Sequence, residues 1–324
     1  MKALVFKAPH QPIALEDLPV PNPKEGEVLV KLQAASMNHR DNWMTMGLYP
    51  KLTPDVIPGS CGTGVVEGEA VLINPNLNWG DDPRYPNQKT YDILGMPHNG
   101  TFAEYIAVNR DRLVKRPDHL TVAEGAALPL AGLTAYRALM TKGEANVTKK
   151  ILVNGIGGGV ALFAFQFAVA LGAEVFVTSS SAEKIEKAIE LGATGGALYS
   201  DPKWGRDFSK EHGKVDLVID SAGGDGFASL LKVCNPLAKI VVYGGTRGLS
   251  KLNPPDLFFK EIEIIGSTMG SDIEFKEMVE FVETHQIRPI VDSVFSFEAH
   301  EAAYTRMREG KQFGKIVFKI AQES

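Results

Sequence analysis

Four glycines, Gly155, Gly157, Gly158 and Gly159, crowd together between an apolar run, Ile151-Leu152-Val153, and a helix-length apolar segment that begins at Val160 and Ala161. Glycine in such a turn lets the backbone approach a pyrophosphate and lets the following helix sit close on its sheet. The helix start then offers free N–H groups and a partial positive charge to the phosphates. A glycine cluster alone marks only a flexible loop. Here it follows a strand and opens a helix within one βαβ unit, the context that a dinucleotide-binding turn requires.

The end of the second strand, Val175-Phe176-Val177-Thr178, bears on which dinucleotide is held. An NAD site places Asp or Glu there, about 20 residues past the turn, to accept from the ribose 2′-hydroxyl. This chain instead runs Thr178-Ser179-Ser180-Ser181, with Lys184 shortly after. Hydroxyls and a cation suit a 2′-phosphate, which a carboxylate would repel. A helix N-cap with a solvated lysine accounts for one serine but not for the missing acid. The expected cofactor is NADP(H), on Gly155, Gly157, Gly158, Gly159, Val160, Ser179, Ser180 and Lys184. Gly244 and Gly245 follow a later strand and allow close approach of the nicotinamide half, with Arg247 beside them facing a pyrophosphate or solvent.

The elements that position these residues alternate. Short apolar strands at 151–154, 174–178, 197–199, 216–220, 239–243 and 262–265 are interleaved with helices near 158–171, 182–191, 225–234 and 255–260. That alternation predicts a parallel sheet covered on both faces. Residues 1–120 read differently, as strands separated by turns, with candidates at 28–32, 65–66, 70–73 and 102–108 and a polar loop over 74–100. Thr121 opens a helix, with Glu124 three residues on to complete a capping box. The run Gly314 to Lys319 is a strand expected to rejoin the first region. The predicted fold class is α/β: a β-rich domain from 1–120 and 290–324, and a doubly wound dinucleotide-binding domain from 121–289.

A chain of 324 residues is ample for two domains. A net charge of −5 argues against nucleic acid as partner, since a phosphate-binding surface shows as a basic excess. Two cysteines far apart, Cys61 and Cys234, suit a reducing compartment, and the apolar run 160–171 is too short to span a bilayer. A cytoplasmic location and no membrane partner are expected. Cys61 has no histidine or lysine beside it in sequence to activate it and reads as a small core residue.

With the glycine turn in place, the chain resembles the medium-chain dehydrogenase/reductase superfamily, in its zinc-free quinone oxidoreductase branch with the related acrylyl-CoA and enoyl reductases. The resemblance covers nearly the whole length. It rests on MKALVFKAP at the start, ASMNHRDNWMTMGLYP at 35–50, IPGSCGTGVVEG at 57–68, AALPLAGLTAYRAL at 126–139, DSAGG at 220–224 and FGKIVFKI at 313–320. It implies a GroES-like β-rich catalytic domain beside a Rossmann domain. In the zinc-dependent members, three ligands hold a catalytic metal; the matching positions are Asn38, Ser60 and an apolar residue near Leu130. These are poor zinc ligands, and the 74–100 loop lacks the four cysteines of a structural zinc lobe, so no metal is expected. His39 and His98 read as surface or hydrogen-bonded histidines. After Glu67 the family's glycine-containing turn is missing, so either the barrel is shortened there or residues are absent.

The resemblance also assigns roles. Asn38, Asp41, Tyr49 and Ser60 become the catalytic candidates, with Asn38 and Tyr49 as donors to an oxygen that gains charge on hydride transfer. Asp41 alternatively orients Asn38 or caps a helix. Thr134 corresponds to a position near the nicotinamide, and Tyr199 to one on the 2′-phosphate or else to a half-buried strand tyrosine. Tyr49, Trp43 and Met46 suggest an open apolar cleft or simply core. The expected function is zinc-independent, NADPH-dependent hydride transfer to a quinone or α,β-unsaturated carbonyl. Reduction of simple aldehydes or ketones is one alternative, and a non-catalytic NADPH-binding redox sensor another. The stretch Ile262-Glu263-Ile264-Ile265 resembles an edge strand through which relatives pair, implying a homodimer.

Overall fold

A ten-residue strand, Glu27–Ser36, is the axis around which the first unit is built. It pairs antiparallel along its length with Cys61–Val66, with Tyr105–Asn109 and, near its end, with Lys315–Lys319. The computed structural model describes residues 1–320, and in them this sheet runs Val291–Phe295, Lys315–Lys319, Glu27–Ser36, Cys61–Val66, Glu69–Ile73 and Leu113–Lys115, with Tyr105–Asn109 attached to Glu27–Ser36. The expected return of the last strand to the first region is therefore present, and it lands between two other strands, one place in from the edge.

The shortened segment after Glu67 closes as a two-residue hairpin. Val66 faces Glu69, and the intervening Glu67 and Gly68 have φ of 53° and 88°. Positive φ at both central residues is the mirror-image turn whose twist matches a hairpin, so the register across Thr63↔Leu72 and Gly64↔Val71 is kept without a longer loop.

The 74–100 segment is mostly irregular, as its composition implies, with one two-residue pairing of Asn76–Leu77 and Asp92–Ile93. Side chains staple it. Trp79 is buried and meets Tyr91 edge-on at 5.4 Å, and Tyr91 donates to Asn76 Oδ1 at 3.0 Å. Asn74 and Arg112 both donate to Asp272 Oδ1, at 2.8 and 2.7 Å.

The second unit is a six-stranded parallel sheet. Its order is Gly195–Leu198, Glu174–Ser179, Lys150–Val153, Val215–Asp220, Cys234–Val242 and Glu263–Gly266, the doubly wound arrangement with a switch point beside its first strand. The helix Gly159–Ala170 is apolar apart from Gln166 because most of it is buried, with Phe163, Phe165 and Phe167 fully buried. No described helix is long and apolar enough to cross a membrane.

The unit boundaries and several helices differ from the sequence-based expectation. The compact units are 1–133 with 270–324, and 134–269, instead of dividing at 120/121 and 289/290. The physical reason lies in two helices. Val122–Ala127, capped by Thr121 and Glu124 as expected, packs on Glu27–Ser36 and Cys61–Val66, and Asp272 at the start of Asp272–Thr284 is tied to Asn74 and Arg112. Helices over Trp204–His212, Asp272–Thr284 and His300–Glu309 were also not expected; the first is short and charged, and only its Trp204, Gly205 and Phe208 are buried, the two aromatics one turn apart in the core beside the sheet.

Candidate active site and cofactor cradle

In the first unit the catalytic candidates converge on a residue that sequence reading passed over. The helix His39–Thr45 begins after Asn38, whose backbone N–H donates to Asp41 Oδ2 at 2.7 Å. Asp41 is thus the helix-capping carboxylate, one of its two expected readings. Burial pushes its carboxyl above the ordinary range, with the neighbouring Arg40 guanidinium the main opposing influence. One position earlier, Arg40 is turned inward and only 6% exposed. Its Nε donates to Tyr49 Oη at 2.9 Å, its Nη1 to Ser60 Oγ and to the Leu94 carbonyl at 2.6 Å, and its Nη2 to the Met96 carbonyl at 3.3 Å. The guanidinium carbon lies 4.6 Å from the Tyr49 ring centroid. Ser60 has no exposed surface, and its hydroxyl donates to Leu94 O at 2.7 Å, so that it accepts from Arg40 while tied to the same carbonyl.

The loop that offers the Leu94 and Met96 carbonyls is held by stacked glycines. Side-chain atoms added at Gly95 or Gly100 would sit 2.5 or 1.9 Å from the Gly59 carbonyl oxygen, so Gly59, Gly95 and Gly100 meet backbone to backbone next to Ser60. Asn38 faces a second buried cation. Lys315 donates to Met37 O and, at 2.7 Å, to Asn38 Oδ1, while Asn38 Nδ2 reaches Cys61 Sγ at 3.2 Å. Burial pushes the Lys315 ammonium below its ordinary range; Cys61 and Asp41 oppose that. The reading of Cys61 as isolated from any lysine is corrected here: strand pairing brings Lys315 to it from the far end of the chain, and the backbone N–H of Leu130 also donates to its sulfur at 3.2 Å. Cys234 is a core thiol, pushed up to about 12 by burial.

The positions matching a metal site, Asn38, Ser60 and Leu130, are therefore near one another, but they present an amide, a hydroxyl and a backbone N–H, with Arg40 on one side and Lys315 on the other. Two cations repel a third, and neither group has a lone pair to give while charged. The residues present do not fit a catalytic zinc. Among the described residues, no cluster of three or more His, Cys, Asp or Glu could hold a metal ion. His39 is exposed beside Trp43, and His98 Nε2 lies 3.2 Å from Asp92 Oδ2. Met46 lines a cavity of about 380 Å³ with His10, His300 and Tyr304, and Tyr49 packs against the apolar core of the first unit.

In the second unit the glycine turn has the predicted shape. Gly155 and Gly157 have φ of 80° and 131°. Gly158 has an ordinary φ of −76°, yet a side-chain atom there would meet no protein atom within 4 Å. Neither strain nor internal packing requires glycine at 158, so the space above it is what the residue type preserves. No side chain caps the helix that starts at Gly159 and Val160, which leaves its first N–H groups for a ligand. A buried relay holds the turn: Thr178 Oγ1 accepts from Gly155 N–H at 3.0 Å and donates to Asn154 Oδ1 at 2.5 Å. Asn154 Nδ2 in turn donates to Asp220 Oδ1 at 2.6 Å. Asp220 also accepts from the N–H groups of Ala222 and Gly223 at 3.1 Å each. Sequence reading saw the DSAGG run but not that its aspartate ties this loop to the glycine turn; Asn154, directly before Gly155, was the available signal.

The ribose end is only partly as expected. Ser179 is 3% exposed and accepts from Ser181 N–H at 3.2 Å, while Ser181 caps the helix Ala182–Glu190 by accepting from Lys184 N–H. Ser180 is the exposed hydroxyl. Strand register puts Ser179 beside Leu198 and hence Ser180 level with Tyr199. Arg247 joins them, its Nη2 3.3 Å from Tyr199 Oη and its guanidinium carbon 5.0 Å from the ring centroid. Arg247 thus lies on the same rim as Tyr199. Gly244 follows the strand Cys234–Val242 and lies against Ser221, with Gly245 open beyond it, and Thr134 is buried with its hydroxyl 3.8 Å from Met269 Sδ.

Comparison with known proteins agrees with this arrangement. Residues 24–118 match the alcohol dehydrogenase GroES-like domain and residues 159–284 the zinc-binding dehydrogenase domain. The chain is 38% identical to a zinc-type alcohol dehydrogenase-like protein of Leptosphaeria maculans, over 96% of this chain and 95% of that one. Among solved structures it resembles an NAD-dependent alcohol dehydrogenase (TM-score 0.93, 32% identity, 99% and 100% coverage). It also resembles the quinone oxidoreductase of Thermus thermophilus, solved with and without NADPH (TM-score 0.84, 29% identity, 98% and 100% coverage). The chain belongs to the medium-chain dehydrogenase/reductase superfamily, with a GroES-like unit and a Rossmann unit.

Proposed function

We propose that this protein is a metal-independent oxidoreductase that uses NADPH to reduce a quinone or an α,β-unsaturated carbonyl. The observation that carries the reading is the Arg40 guanidinium seated on Ser60, a cation where a metal-dependent relative needs a ligand. The reduced cofactor supplies the hydride when bound. Gly155, Gly157, Gly158, Gly159 and Val160 fit its pyrophosphate, Thr134, Gly244 and Gly245 its nicotinamide half, and Ser180, Lys184, Tyr199 and Arg247 a 2′-phosphate, with Ser179 behind them. Absence of an acid at the end of Glu174–Ser179 and the presence of Arg247 beside Tyr199 favour NADPH over NADH. The Thermus quinone oxidoreductase, solved with NADPH, supports the same choice, whereas the NAD-dependent alcohol dehydrogenase supports the alternative of aldehyde or ketone reduction.

Steady-state oxidation of NADPH and NADH against one quinone, one enal and one simple aldehyde, each with and without a chelator, tests this. Chelator-insensitive turnover with NADPH on the quinone or the enal is the expected result. Loss of activity to the chelator overturns the metal-free reading. Tight NADPH binding without turnover on any acceptor favours the redox-sensor alternative.

The same reading includes a homodimer. Glu263–Gly266 is the outermost strand of its sheet, and Ile264 on it is 39% exposed, so its free edge is a template for a second copy. A dimeric mass by light scattering is expected; a monomer at micromolar concentration rejects it.

A further inference from the structure

The loop that follows the strand Val215–Asp220 is zipped, backbone to backbone, to the loop that carries Arg247. Thr246 N–H donates to Ser221 O at 3.1 Å, Arg247 N–H to Ala222 O at 2.8 Å, and Gly224 N–H to Gly248 O at 3.1 Å. The approach leaves no room for side chains. A methyl on Gly224 would stand 2.8 Å from Arg247 Cβ and 2.9 Å from Arg247 O, and one on Gly223 2.9 Å from Gly248 O. Both glycines also hold positive φ, 62° at Gly223 and 68° at Gly224. Unlike Gly158, they are required by the protein's own packing, and what presses on Gly224 is Arg247 itself. The base of the same loop is fixed to the glycine turn. Asp220, with no exposed surface, accepts from the N–H groups of Ala222 and Gly223 and from Asn154 Nδ2, and Asn154 adjoins Gly155. Hydrogen bonds thus run without a break from Gly155 N–H through Thr178, Asn154, Asp220 and Ala222 to the backbone of Arg247. The Arg247 side chain is exposed, rests on the Tyr199 ring and pairs with no carboxylate among the described residues.

We propose that this loop is a spacer that sets the preference for NADP(H). Asp220 holds Arg247 at a fixed offset from the glycine turn, so that a dinucleotide seated there by its pyrophosphate brings its 2′-phosphate to the guanidinium. Arg247 reads the phosphate; Asp220 and Gly224 are positioning residues that act through it. This rests on the NADPH reading above. A guanidinium gives a phosphate two parallel, charge-assisted N–H bonds, and that gain depends on aim. An arginine on a loose loop reaches the same phosphate only by ordering the loop at the moment of binding, which weakens the complex. The zipper orders the loop beforehand. NADH presents a neutral hydroxyl at that place, so a well-aimed Arg247 gains far less from it.

Arg247→Ala, Asp220→Asn, Gly224→Ala and the two double variants with Arg247→Ala test the proposal, with melting temperature confirming that each folds. The readout is the ratio of the NADH Kd to the NADPH Kd, because a merely structural loss lowers both affinities together. Arg247→Ala should lower the ratio at least about tenfold, the scale of one hydrogen bond to a charged group. Asp220→Asn keeps the shape but turns an acceptor into a donor facing N–H groups. It and Gly224→Ala should each lower the ratio about fivefold, the scale of one ordinary hydrogen bond. Combined with Arg247→Ala, neither should lower it further. A ratio unmoved by both positioning variants, or lowered as much in the doubles, means that the loop does not aim Arg247; the proposal then fails and the NADPH reading stands. A second measurement needs no variant. In the cofactor-free protein the Arg247 amide should exchange its hydrogen slowly, and exchange as fast as in an open loop overturns the zipper. A wild type that binds 2′,5′-ADP no tighter than 5′-AMP removes the NADPH reading and this proposal with it.

Discussion

Gly100→Ala is expected to cost the first unit roughly 3 kcal/mol or more, at the upper end of what overpacking does. The added methyl would stand 1.9 Å from the Gly59 carbonyl oxygen, 2.6 Å from Gly95 Cα and 2.7 Å from the Pro58 carbonyl oxygen. All three obstacles are backbone, so no rotamer change relieves the clash. The same backbone is hydrogen-bonded in place: Gly100 N–H donates to Ile57 O at 2.7 Å and Thr101 N–H to Gly59 O at 2.9 Å. Whatever relaxation occurs must move Gly59 or Gly95, and with them Ser60 and the Leu94 and Met96 carbonyls that hold Arg40. Melting temperature should fall by on the order of 10 °C, at a few degrees per kcal/mol for a unit of this size. Gly226→Ala is the control, since an added methyl there meets nothing within 4 Å. A Gly100→Ala protein that melts with the wild type would mean that the three glycines are not stacked as described.

Gly158→Leu should do the reverse, sparing the fold and destroying cofactor binding. The backbone at 158, φ −76° and ψ 154°, is open to any residue, and the first side-chain atom added there meets no protein atom within 4 Å. Stability without ligand should shift by less than about 1 kcal/mol, as for an ordinary surface change. If a pyrophosphate lies over this turn, the leucine occupies its place, and affinity should fall by at least about a hundredfold, near 2.7 kcal/mol. Thermal shift reads both at once. NADPH at a hundred times its wild-type Kd stabilises the native protein by about 2.7 kcal/mol and should leave the variant almost unmoved. An undiminished shift would place the cofactor elsewhere.

These two glycines also show what the sequence could and could not disclose. The turn that carries Gly158 was legible because its shape is local: strand, turn and helix lie within one short stretch. The capping box of Thr121 and Glu124 and the alternation of strands and helices were legible for the same reason. Arg40 was not. Its neighbour Asn38 drew attention by position, but a guanidinium turned inward onto Ser60, Leu94 and Met96 is fixed by contacts with residues far along the chain, which no spacing encodes. Lys315 is the extreme case, a strand residue at one end of the sequence that meets Asn38 near the other. The two sequence-drawn domain boundaries erred likewise, because Val122–Ala127 and Asp272–Thr284 were assigned by chain neighbourhood and are held by packing. Trp204–His212 escaped because a short charged helix with two buried aromatics offers little periodicity to read.

The position of the strand Lys315–Lys319 has a consequence for how the protein is made. It lies between Val291–Phe295 and Glu27–Ser36, and it brings Lys315 to Met37 and Asn38. During synthesis, Glu27–Ser36 leaves the ribosome early, and its neighbour leaves only after all of residues 134–269 have been translated. The Rossmann unit, whose strands are contiguous in the chain, has everything it needs while the barrel still waits with an open strand edge. The later-encoded unit therefore completes first, and the nascent first unit is the part that needs shielding from other chains until its last strand arrives.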